Sequence, residues 1–207
     1  QEKQLTFDRK NLDDLGWTQQ NMIIFSSSKA VNTNLGGVPA GGGEEQQITK
    51  GSGPDLGIQV SADGRKLLYY QNQDIGNIWY ANGDGTNLRQ LTFDEQNITS
   101  LCFSPDGGKI VFSMSGEQGF VSFQSHLYIM DRDGSNRRQL TFGDEVAQYP
   151  SFSPDGKHLT FRSRRMSEPD DSLKINVIDF PSSSTPKTLR LGRIAWWINE
   201  AELTVLY

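Results

Sequence analysis

Three short markers recur in constant order along 207 residues and predict an all-β fold, a β-propeller of four-stranded antiparallel blades with about four full blades plus a partial one. The first marker is Ser-Pro-Asp-Gly at Ser104–Gly107 and Ser153–Gly156, with Ser-Ala-Asp-Gly at Ser61–Gly64. The second reads GNIWYANGDGTNLRQLT from Gly76 and SHLYIMDRDGSNRRQLT from Ser125, echoed as NLGGVPAGGGEEQQIT from Asn34. The third is QLTF at Gln4, QIT at Gln47, RQLTF at Arg89 and at Arg138, and KTLRL at Lys187. Its aligned residues Leu5, Ile48, Leu91, Leu140 and Leu189 stand 43, 43, 49 and 49 positions apart. Degenerate copies of the first marker extend the series as WTQQNMIIF from Trp17 and WINEAELTVLY from Trp197.

Each repeat carries short runs of strand character between turn residues. In the third repeat these are Leu101 to Phe103, Ile110 to Met114, Leu127 to Met130 and Arg138 to Phe142. In Ser-Pro-Asp-Gly, proline presets φ for a turn, Asp can bond its own backbone, and Gly accepts the positive φ that closes a hairpin. DRDGSN and NGDGTN do the same at the next hairpin. A single blade cannot bury both of its faces, and stacking blades covers them while leaving only short edges.

Composition fits short, evenly spread apolar runs: 35% hydrophobic residues, 10% aromatic residues and a mean hydropathy of -0.56. No run approaches the length of a membrane span, so direct membrane insertion is not expected. Net charge is -5, from 20 basic against 25 acidic residues, which disfavours nucleic acid as a partner. The short basic clusters at Arg137-Arg138 and Arg162 to Arg165 are expected to be solvated faces. The single cysteine, Cys102, is expected to act as a small core residue, and it can form no internal disulfide.

SFSPDGKHLTF, LYIMD and DGSNRRQLTF together resemble the TolB-type, WD40-like propeller repeat of bacterial envelope proteins. The resemblance extends over essentially the whole chain and is strongest in the third and fourth repeats. It implies that the first marker spans an inner strand and its hairpin and that QLT is the outermost strand. Blade repeats then run at about residues 8–49, 50–92, 93–141 and 142–190, followed by a partial blade at 191–207. Two architectures fit. Residues 3–7 could supply the outer strand of the partial blade and close a five-bladed ring, or the chain could be an arc of a six- to eight-bladed ring. An open arc is expected to associate with itself.

Catalytic constellations are sparse. His126 and His158 occupy repeat framework positions, and neither has a second His or a Cys at metal-ligand spacing, so neither a metal nor another cofactor is expected. There is no Gly-x-Ser-x-Gly elbow. Gly41 to Gly43 reads as a hairpin turn rather than a phosphate loop, since no helix follows it. Asp131 to Gly134 resembles the start of a calcium loop but lacks its closing glutamate. The acidic run Glu168 to Asp171 reads as a solvated loop.

What remains is surface. In a propeller the loops from second to third strand and from outer strand to the next inner strand share one face. Here the first set varies: SSSKAVNTN near Ser26, QNQDIG from Gln71, SGEQGFVSFQS from Ser115 and SRRMSEPDDS from Ser163. The second set is acidic, with Asp94 and Glu95, and Asp144 and Glu145. Variable loops on a rigid scaffold carry binding specificity. Phe120, Phe123, Arg164, Arg165 and Met166 are the candidate contacts, because aromatic, Met and Arg side chains carry disproportionate interface energy. With Asp94, Glu95, Asp144 and Glu145 beside them, the expected partner is a protein or peptide with a basic segment. The expected function is a non-enzymatic binding scaffold of the periplasm or extracellular space. The alternative is an accessory propeller of a larger enzyme or sensor, such as a prolyl-oligopeptidase-type peptidase or a membrane-tethered Ser/Thr kinase.

Overall fold

A computed structural model describes residues 4–6, 12–29, 32–51, 53–73, 75–93, 96–115, 124–169, 172–182, 185–200 and 202–206. Every regular element among them is a strand. Residues 1–94 and 95–207 form two compact units.

The first unit holds two antiparallel sheets. One has the order β1 (Leu12–Trp17), β2 (Met22–Lys29), β3 (Asn32–Pro39) and β4 (Gln46–Gln47). The other has β5 (Asp55–Val60), β6 (Lys66–Gln73), β7 (Ile75–Asn82) and β8 (Arg89–Gln90). Ile24 and Leu35 of the first sheet pack against Ile58, Leu67, Tyr69 and Ala81 of the second. The second unit repeats the plan with β9 (Ile98–Phe103), β10 (Lys109–Ser115), β11 (Ser125–Asp131) and β12 (Arg138–Gln139). Then come β13 (Glu145–Phe152), β14 (His158–Arg165), β15 (Lys174–Asp179) and β16 (Lys187–Leu191), and a two-stranded sheet of β17 (Ile194–Trp197) and β18 (Leu203–Leu206). Its core joins Cys102, Val111, Leu127 and Ile129 to Ala147, Phe152, Leu159, Phe161 and Ile178. Burial pushes the Cys102 thiol up to about 12, so this residue is the apolar filler its sequence context implies. Four sheets of four short antiparallel strands and one of two are the blade architecture of a β-propeller.

The markers owe their recurrence to hydrogen bonds. In the first hairpin of three blades the serine hydroxyl donates to the aspartate two residues on: Ser61 to Asp63 at 2.6 Å, Ser104 to Asp106 at 2.5 Å and Ser153 to Asp155 at 2.6 Å. The same hydroxyl accepts the N–H that opens the second strand, from Lys66 at 3.0 Å, Lys109 at 2.8 Å and His158 at 2.9 Å. The glycines that complete these turns have φ of +67° at Gly64 and Gly107 and +72° at Gly156, a region that side chains disfavour. The serine hydroxyls, aided by backbone N–H donors, hold the carboxyls of Asp63, Asp106 and Asp155 below the usual range, Asp155 at about 2.

QLT works as a clamp on the third strand. Ile48, Leu91 and Leu140 donate their N–H to the carbonyls of Leu35, Ile78 and Leu127 at 2.8, 2.8 and 2.7 Å. Thr49, Thr92 and Thr141 accept the N–H of the same three residues, each at 2.9 Å, on their hydroxyls. Here the outermost strands depart from the sequence reading. The expected strand at Arg138 to Phe142 covers only Arg138–Gln139, because Leu140 and Thr141 turn inward to Leu127, and Phe142 is left 69% exposed. The fourth full blade lacks the threonine clamp. Its outer strand is longer, and Thr188 donates instead to Asn176 Oδ1 at 2.8 Å. Gln4 donates to the carbonyl of Thr6 at 2.8 Å, as Gln90 does to Thr92 and Gln139 to Thr141 at 2.7 and 2.6 Å, although residues 4–6 form no strand. Lys3 and Phe7, the ends of the expected outer strand, lie outside the described residues.

Two of the segments read as variable loops are largely strand. SSSKAVNTN is taken up by β2 and β3, which pair from Met22↔Pro39 as far as Lys29↔Asn32, and QNQDIG by β6 and β7, which pair out to Gln73↔Ile75. Polar alternation in these runs marks the ends of long hairpins rather than loops.

Replacing Thr141 with Val keeps the shape but removes the acceptor for the buried Leu127 N–H. Urea unfolding should show Thr141→Val destabilised by about 1–3 kcal/mol, with an unchanged m-value.

Candidate functional site

Register gathers five of the expected contact residues at one end of the fourth full blade. β13 starts where β14 ends, so Glu145 stands opposite Arg165 and Val146 opposite Arg164. The N–H of Met166 donates to the carbonyl of Asp144 at 3.1 Å and ties the two ends together. Asp144 and Arg165 are exposed, and Glu145, Arg164 and Met166 are half-buried. Glu168, read from the sequence as part of a solvated loop, organises the turn. Its carboxylate accepts Lys174 Nζ at 2.7 and 2.9 Å and the Arg165 N–H at 3.3 Å, and its carbonyl accepts Arg164 Nη1 at 3.2 Å. The Lys174 bond, with help from the Arg165 N–H, holds the Glu168 carboxyl below the usual range. Asp94, Glu95, Phe120 and Phe123 lie outside the described residues.

The same end of β14 carries a correction. The cluster Arg162 to Arg165, expected to be a solvated face, is not uniformly so. Arg162 is half-buried, with its guanidinium 4.4 Å from the centroid of the Tyr149 ring and Nη2 donating to Gln148 Oε1 at 2.6 Å. Nη1 makes a long contact of 3.5 Å to the carbonyl of Arg193, at the start of β17. Burial lowers the Arg162 pKa, Tyr149 opposes that, and the charges of Arg164 and Arg193 reinforce it. Tyr149 sits in a β-bulge of β13 with φ of +54°. That conformation is rare for an aromatic residue. The corresponding residue of the second blade is Gly57, with φ of +66°, whose missing side chain leaves room for the Tyr70 ring. Sequence reading missed Tyr149. The signal was its place four residues before Ser153, where Gly57 precedes Ser61 by the same interval.

His158, a framework position by sequence, pairs Nδ1 with Asp179 Oδ1 at 3.1 Å and stacks on Trp197 with ring centroids 6.0 Å apart. It takes the place that Lys109, paired with Asp131, holds in the preceding blade. His126 differs. Its Nδ1 is buried without a hydrogen-bond partner, and burial lowers its pKa against the opposing charge of Glu145. Among the described residues no three His, Cys, Asp or Glu side chains are grouped to hold a metal ion.

In the first unit Asp55, at the start of β5, is the one fully buried carboxylate among the described residues, at 1% exposure. It accepts Thr49 Oγ1 at 2.5 Å and Gln71 Nε2 at 2.9 Å. Burial raises its pKa, and the two hydrogen bonds only partly offset that.

Solved structures share the fold. A protein of Agrobacterium tumefaciens described as TolB superposes with a TM-score of 0.71 at 22% identity, over 88% of this chain and 69% of that one. The fold is TolB-like. TolB from Acinetobacter baumannii gives 0.73 at 18% identity over 92% of this chain and 46% of that one, so the chain spans less than half of its length. The TolB-like propeller also occurs in enzymes: a puromycin hydrolase gives 0.73 at 16% identity, over 94% of this chain and 35% of that one. No protein-family model and no curated protein sequence matches the chain.

Asp55 binds a proton more readily folded than unfolded. Its ionised form therefore weighs against the fold at neutral pH, and that weight lifts as pH falls toward the ordinary value of 3.8. Asp55→Asn should be more stable than the unsubstituted chain at pH 7, and thermal unfolding across pH should show the gap narrowing on acidification.

Proposed function

We propose that this chain is a non-enzymatic binding scaffold that holds a protein or peptide partner at the loop-bearing end of its blades, in the periplasm or extracellular space. The observation that carries this reading is the meeting of Asp144, Glu145, Arg164, Arg165 and Met166 at one blade end, on a framework whose repeated residues are occupied with turns and clamps. Charged, adaptable side chains on rigid strand ends suit recognition of a partner's charge pattern. The partner's basic segment would meet Asp144 and Glu145. The two TolB structures support the fold part of this reading, and the compartment is proposed from that likeness.

The second reading, an accessory propeller of a larger enzyme, is favoured by the puromycin hydrolase, in which the part that superposes on this chain is 35% of a longer enzyme. An open reading frame joining these residues to a hydrolase or kinase domain would decide for it.

Asp144→Lys with Glu145→Lys should weaken a captured partner about tenfold or more and flatten the salt dependence of its binding. Unchanged affinity and unchanged salt slope in calorimetry would overturn the basic-partner reading. A second copy of the chain is also a proposed partner, because Leu15 and Trp17 are 65% and 61% exposed and Trp196 and Ile198 are 46% and 62% exposed. Light scattering across a tenfold dilution should then return a mass above 23.2 kDa that falls on dilution.

A further inference from the structure

Arg162 holds a position that the other blades fill with uncharged side chains. Counting along the second strands from the turn, its counterparts are Ser26 on β2, Tyr70 on β6 and Ser113 on β10. A guanidinium in that half-buried place loses hydration, and its acceptors are neutral: the Gln148 amide at 2.6 Å and the Arg193 carbonyl at 3.5 Å. The Tyr149 ring covers one face of it. None of the ion pairs among the described residues joins it to a carboxylate.

Two further guanidiniums lie close. Arg164 is two residues on along β14, so strand alternation directs it to the same side as Arg162. Arg193 is exposed and enters β17, the strand that lies against this side of β14, where Trp197 stacks on His158. The charges of Arg164 and Arg193 act unfavourably on the Arg162 guanidinium, and its partial burial adds to that cost. A bound anion would relieve both. Guanidinium forks match a planar carboxylate in a two-point hydrogen-bonded arrangement. Nearby Glu145 and Glu168 favour an anion of single charge over a phosphate dianion, and the exposed Tyr149 ring offers apolar surface for the groups that flank a peptide carboxylate.

We infer that Arg162, Arg164 and Arg193 form a binding site for the carboxylate of a peptide segment, at the junction of β14 with β17. This rests on the proposed peptide-binding function and adds the acidic end of the ligand to it. The basic segment would lie over Asp144 and Glu145, and the carboxylate would sit on the three arginines. The carboxylate could be a chain terminus or an Asp or Glu side chain, and both present the same planar acceptor.

The test is an NMR titration of the ¹⁵N-labelled chain, following the arginine Nε–Hε and tryptophan indole signals, with four peptides. These are N-acetyl-Ala-Leu-Ala-Leu with a free carboxylate, the same peptide as its C-terminal amide, an amide with one internal Asp, and an amide with one internal phosphoserine. At least one carboxylate peptide should bind about tenfold or more tightly than the neutral amide. The peptide that does so identifies the source of the carboxylate. Arg162→Gln, Arg164→Gln and Arg193→Gln should each remove most of that preference. Arg193 has an exposed side chain, so its substitution remains informative if Arg162→Gln disturbs the packing on Tyr149. Arg138→Gln, on the exposed outer strand β12, should leave the preference intact. Equal binding of acid and amide peptides, or a preference that survives Arg164→Gln and Arg193→Gln, overturns the inference. So does a phosphoserine amide that outbinds both carboxylate peptides. These outcomes leave the Asp144 and Glu145 test of the scaffold reading standing, so the two can fail separately.

Discussion

Three of the four full blades depend on the same constraint: a four-stranded sheet whose outer strand is two residues long must anchor its backbone with side chains. Two paired residues contribute few ladder bonds, and a buried N–H without an acceptor is costly. The threonine of QLT meets that need by taking the N–H of a buried third-strand residue, while the residue before it donates to that residue's carbonyl. At the other end of the blade the serine of Ser-x-Asp-Gly donates to Asp and accepts from the second strand. In the second and third full blades both ends are thus fixed from within the repeat, and the faces of the sheet are left to pack against neighbouring blades.

Packing between blades then has little freedom. In the second unit Thr99, Ser113 and Ser125 share hydroxyl hydrogen bonds of 2.7 and 2.9 Å, and Ser125 reaches the Ala147 carbonyl of the next blade at 3.3 Å. The bulge in the first strand supplies a second link. Ser100 Oγ accepts the Tyr149 N–H at 2.9 Å, and in the first unit Asp14 Oδ2 accepts the Gly57 N–H at 2.8 Å. The linked positions are equivalent, yet the residues there are Asp, Gly, Ser and Tyr. A backbone bond that tolerates such variety lets side chains at the bulge diverge without loss of the blade.

That division explains which parts of the candidate site were legible. Asp144, Glu145, Arg164, Arg165 and Met166 could be placed on one face because their positions follow from repeat register, and strand pairing brings them together. Loop lengths were not legible for SSSKAVNTN and QNQDIG, since polar residues at the ends of long hairpins look like loop residues in sequence. Arg162 was misread for a related reason. One residue of a basic run can be half-buried while its neighbours are solvated, because successive strand residues face opposite ways and only one side of β14 meets β17.

The sequence by itself determined the four full repeats and the partial one, the hairpin turns and the all-β class, because the bonds that make them span few residues. Ser153 reaches Asp155 two positions away and His158 five away, and such bonds form wherever the motif is written. Tertiary structure alone decided what the departures from the repeat became. Arg162 finds Gln148 14 positions away and the Arg193 carbonyl 31 away, and Asp55 is buried beneath Gln71, 16 positions on. Burial and charge environment at these places depend on which strand faces arrive together, and that is fixed only when the blades pack.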